Sequence, residues 1–159
     1  MTKSVLKFIF SAITLGVVLS TLALPTIADS GRQINKDENN LAILGYDTVA
    51  YFTQSRPIKG SDKFQHVWQD AIWQFSKAKH RDRFVEDPER YAPRYGGFCV
   101  MAMARGKGKL YKVEPEEFRI VDGKLFLNYS RKYSEQFDQD PAAAIAKADA
   151  NWPRLGKAQ

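Results

Sequence analysis

The chain has 159 residues and a formal net charge of +6, with acids and bases interspersed along it. No concentrated basic stripe is present, which argues against nucleic acid as a partner. One cysteine excludes an internal disulfide framework, and two histidines with that cysteine fall short of a closed structural zinc site.

Read in chain order, residues 1–28 look like a secretory signal. Lys3 and Lys7 precede an uncharged, mainly apolar run from Phe8 to Leu24, and Pro25-Thr26-Ile27-Ala28 offers small residues before a cut after Ala28. The run is slightly long, so an uncleaved anchor is the alternative. The expected location is periplasmic or secreted, with membrane contact only through that segment if it is kept. Cleavage removes two lysines and no acid, leaving a formal +4. Residues 29–40 are polar and read as a flexible lead. Residues 41–155 are long enough for one domain with a real core.

Thr48-Val49-Ala50-Tyr51-Phe52 is β-branched and aromatic and predicts a strand. Phe64, His66 and Trp68 alternate, and Ile72-Trp73-Gln74-Phe75 returns, predicting a hairpin that turns near Gln69-Asp70. Ser76 reads as the N-cap of a helix to about Asp87, with Phe75 and His80 placed as a hydrophobic staple. Gly96-Gly97 breaks the chain before Phe98–Arg105, a short helix or a strand. Phe118 to Asn128 predicts a second hairpin, because Asp122-Gly123 suits a type I′ turn. Ser130 to Asp138 reads as helix. Asp140-Pro141 starts another through Ala150, which Trp152-Pro153 ends while folding the indole back. The expected fold is a single α+β domain of small antiparallel hairpins packed with several short helices.

Apart from Met1, all the sulfur lies in Cys99-Val100-Met101-Ala102-Met103. In a strand all three sulfur side chains face one way; in a helix Cys99 and Met103 share a face and Met101 does not. A thiolate with thioethers, helped by His80, suits Cu(I). Cysteine and methionine are equally good core fillers. His66, among aromatic residues, reads as packed rather than ligating. Tyr46, Asp47 and Tyr129 could line a small-ligand pocket, or be a turn and a satisfied hydroxyl. No dinucleotide fingerprint, phosphate loop or zinc-protease motif is present, so nothing points to an enzyme.

Seven segments carry a resemblance. They are Gly45-Tyr-Asp-Thr-Val-Ala-Tyr-Phe52, Trp73-Gln-Phe-Ser76, Arg81-Asp-Arg-Phe84 and Asp87-Pro-Glu-Arg-Tyr-Ala-Pro93. The others are Tyr95-Gly-Gly-Phe-Cys99, Val121-Asp-Gly-Lys-Leu-Phe-Leu-Asn-Tyr-Ser130 and Ala148-Asp-Ala-Asn-Trp-Pro153. Together they resemble the YHS domain family in its small exported bacterial branch. Other YHS domains accompany copper-transporting ATPases and some hydroxylases and are often called metal-binding. Their two cysteines would fall at Ser76 and His80, so that thiolate pair is missing here. The expectation is an exported binding module. It would take copper through Cys99 with Met103, Met101 or His80, as carrier, scavenger or accessory protein. Two alternatives stand beside it: a small-ligand or envelope-protein interaction module with Cys99 in the core, and a thiol redox protein using Cys99.

Overall fold

The computed structural model describes residues 33–106 and 111–157. The expected signal and the first part of the expected lead lie outside those residues. Within them the order is α1 (Thr48–Gln54), β1 (Ser61–Trp68), β2 (Ala71–Phe75), α2 (Ala78–Glu86), α3 (Pro88–Tyr91) and α4 (Val100–Arg105). It continues with β3 (Glu114–Val121), β4 (Lys124–Asn128), α5 (Arg131–Gln139) and α6 (Pro141–Leu155). The strands form two separate antiparallel pairs, β1 with β2 and β3 with β4. The fold is the expected small α+β domain. No helix among the described residues is long and apolar enough to cross a membrane.

Both hairpins form where the sequence places them. Gln69 and Asp70 turn the first with φ of 48° and 54°, and Asp122 and Gly123 turn the second with φ of 50° and 68°. Positive φ at both central residues is the type I′ requirement. Asp-Gly meets it cheaply, whereas Gln-Asp does not. Each hairpin has one irregularity of register, between Ser61 and Gln65 in β1 and between Glu114 and Phe118 in β3.

β4 divides the interior. Leu125 and Leu127 join a cluster with Val49, Tyr51, Trp73, Phe75, Phe84 and Cys99. Phe126 points the other way, into a cluster with Tyr95, Met103, Phe137, Ala148 and Trp152. The period of two, with both faces covered, makes one strand the wall between two cores. Each of its large apolar side chains contributes about 1.5–3 kcal/mol by burial. On α6, Ala144, Ala148 and Trp152 recur at four-residue spacing and are all buried, which forms the face that packs on α4.

Four expectations need correction. Thr48–Phe52 is helical, not a strand, because Asp47 caps it: Oδ1 accepts from Val49 N at 3.0 Å and Ala50 N at 3.2 Å. Ser76 does not cap α2. Lys77 holds that position, and Ser76 Oγ donates to Asp47 Oδ2 instead. The Phe75 ring packs on Phe84 at 5.1 Å. Pro153 does not end α6, which runs on to Leu155 with Trp152 buried. Residues 33–40 are pinned to the domain rather than a loose lead. Gln33 N donates to Gly156 O at 2.9 Å, Asn35 N to Gly96 O at 2.8 Å, and Asn35 Nδ2 to Gly97 O at 2.9 Å. The segment after Gly96-Gly97 is a helix, which settles the open choice there.

Candidate functional site

Asp47 is fully buried, and so is nearly all of His80. Two donors reach Asp47 Oδ1 from the start of α1. Oδ2 accepts three more: Ser76 N at 2.8 Å, Ser76 Oγ at 2.6 Å and His80 Nδ1 at 2.7 Å. A carboxylate only accepts, so the proton in that last bond belongs to Nδ1. His80 Nε2 lies 3.2 Å from Thr53 Oγ1, which is itself 3.0 Å from Val49 O one turn earlier. One carboxylate therefore ties the start of α1, the end of β2 and the first turn of α2 together.

The order hydroxyl, imidazole, carboxylate is that of an acyl-transfer relay. Thr53 Oγ1 also bonds Val49 O within its own helix, as helical threonines commonly do, and His80 is 2% exposed. Thr53 was not legible as a partner in the sequence. Reading Asp47 as an N-cap would have put Thr53 on a helix facing α2.

Cys99 precedes α4 and is 1% exposed. Its Sγ donates to Asn128 Oδ1 at 3.8 Å, and its backbone N donates to Tyr111 O at 3.4 Å. Asn128 Nδ2 is buried without a hydrogen-bond partner among the described residues. Met103 is fully buried but belongs to the second core cluster, across β4 from Cys99, while Met101 is partly buried against both. The helix thus sends the three sulfur side chains to different surroundings. His80 is committed to Asp47. Among the described residues no group of three or more His, Cys, Asp or Glu side chains is placed to hold a metal ion.

The three pocket candidates also take different partners. Tyr46 Oη donates to Glu116 Oε1 at 3.2 Å, and Lys59 Nζ lies 4.3 Å from its ring centroid. Burial first, then the Glu116 charge, raise the Tyr46 pKa above its ordinary value. Asp47 is the buried capping carboxylate. Tyr129 is exposed and touches the rings of Tyr111 and Tyr133 at 5.8 and 6.2 Å. His66 packs edge-on to Phe84 at 6.3 Å, as an aromatic neighbour.

An open cleft of about 240 Å³ lies elsewhere, between the first hairpin turn, α3 and α6. Sequence reasoning missed it because its walls come from segments far apart in the chain. The one signal was Trp152, expected to fold back onto the domain. No family model, no curated protein and no solved structure matches this chain.

Proposed function

We propose that this chain is an exported binding module, similar to YHS domains, in which Cys99 is part of the core and recognition is of a small ligand or an envelope protein. One observation carries this reading: the thiol is buried and spends its hydrogen on Asn128 Oδ1. Soft-metal capture needs an accessible thiolate and converging donors. Met103 lies across β4 and His80 is held by Asp47 and Thr53. The resemblance in the segments around Asp47, Cys99 and Asn128 supports the same kind of module. An open cleft supports the binding role.

Native mass spectrometry of the purified chain, supplied with Cu(I) under reducing conditions, tests it. The expected result is no stoichiometric copper, with slow thiol labelling that becomes fast only on unfolding. One bound copper that disappears in Cys99→Ala would replace this reading with the copper one, and Met101, Met103 and His80 would be the next substitutions. A thiol that labels rapidly in the folded protein would favour the redox role.

A further inference from the structure

The cleft has a chemistry of its own. Trp68 and Gln69 come from the first hairpin, Glu89 from α3, Arg94 and Tyr95 from the 3-10 turn that follows it, and Trp152 from α6. Its charges are unequally matched. Arg94 is paired, with Nη2 at 3.1 Å from Asp149 Oδ1, and Tyr95 Oη donates to the same oxygen at 3.1 Å. Glu89 has no hydrogen-bond or ion-pair partner among the described residues. The uncompensated charge in the cleft is therefore negative, and it lies in a cleft that two indoles line. Indole is the side chain whose ring face attracts cations best.

We propose that this cleft binds a small organic cation, an alkyl- or arylammonium group held by Glu89 between Trp68 and Trp152. The proposal rests on the binding-module reading and supplies its ligand class. Charge selects a cation over an anion, and the indoles select one with an apolar shell over a hydrated metal ion. A space of about 240 Å³ admits one such group and not a folded chain.

Intrinsic fluorescence reads the binding directly, since two of the three tryptophans line the cleft. The purified chain is titrated with choline and, separately, with its neutral isostere 3,3-dimethyl-1-butanol. The expected result is a saturable change with choline, none with the isostere, and a loss of about tenfold or more in choline affinity in Glu89→Gln. Glu89 is exposed, so that variant keeps its fold. The inference is overturned if choline gives no saturable change, if the isostere binds as well, or if Glu89→Gln binds choline unchanged. Copper uptake at Cys99 would overturn the module reading alone. Failure with choline while the thiol stays silent would overturn this inference alone.

Discussion

The buried polar groups around Asp47 and around Asn128 are built differently. Around Asp47 five donors converge on two oxygens, from Val49, Ala50, Ser76 and His80. Around Asn128 a weak thiol donor meets one oxygen, and the amide nitrogen is left over. The first centre holds three elements in place and should be costly to disturb. The second is a packing position with a loose polar end. Saturation marks the joint of a scaffold, whereas a spare donor marks a site that tolerates change.

Asp47→Ala breaks the comparison hardest. It strands the His80 ring, the Ser76 hydroxyl and three backbone donors, and is expected to cost about 3–5 kcal/mol. Urea unfolding followed by far-UV dichroism measures it, and a cost under that of Cys99→Ala would invert the ranking of the two centres. His80→Ala should cost about 1–3 kcal/mol, because Asp47 keeps four of its five donors. Cys99→Ala removes one buried sulfur and should cost about 1–2 kcal/mol, with Cys99→Ser closer to neutral because a hydroxyl is the better donor to Asn128. A Cys99→Ser variant much worse than Cys99→Ala would show that the Asn128 end of the core does not accept a stronger donor.

The smallest effect lies on the surface. Arg119 binds Asp138 through two nitrogens at 2.7 and 2.6 Å, and the Arg119 hydrogen bond is the main reason the Asp138 pKa is lowered. A depressed carboxyl contributes stability above its unfolded pKa and loses it as pH falls through the lower folded value. The pair is more than a third exposed on average, so Arg119→Ala should cost no more than about 1 kcal/mol near neutral pH. That difference should shrink on acidification below the usual carboxylate range. A gap that persists at low pH would mean Arg119 acts through packing instead.

What the sequence made legible follows the range of each interaction. Asp122-Gly123 and the alternation of Phe64, His66 and Trp68 are local signals, and both hairpins form accordingly. Asp140-Pro141 likewise starts a helix, Asp140 Oδ1 accepting from Ala143 N; Asp87-Pro88 starts one the same way, although the sequence reads Asp87 only as the end of the preceding helix. Thr48–Phe52 misled because its β propensity is overridden by one capping carboxylate and by burial of Thr48, Val49, Ala50 and Tyr51 in succession. Asp47 and His80 lie 33 residues apart, and Cys99 and Asn128 lie 29 apart. No spacing rule connects such pairs. The sulfur run was visible, but the choice between helix and strand decided where each side chain went.

The hydrogen bond from Gln33 N to Gly156 O brings the beginning and end of the described chain into contact. A ring is then nearly closed already. A short linker from residue 157 to residue 33 should span the gap without bending either end away, so the domain is open to circular permutation with new ends cut at the Asp122-Gly123 tip. Such a chain would carry the cleft and the Asp47 joint unchanged while presenting its termini on another side of the molecule.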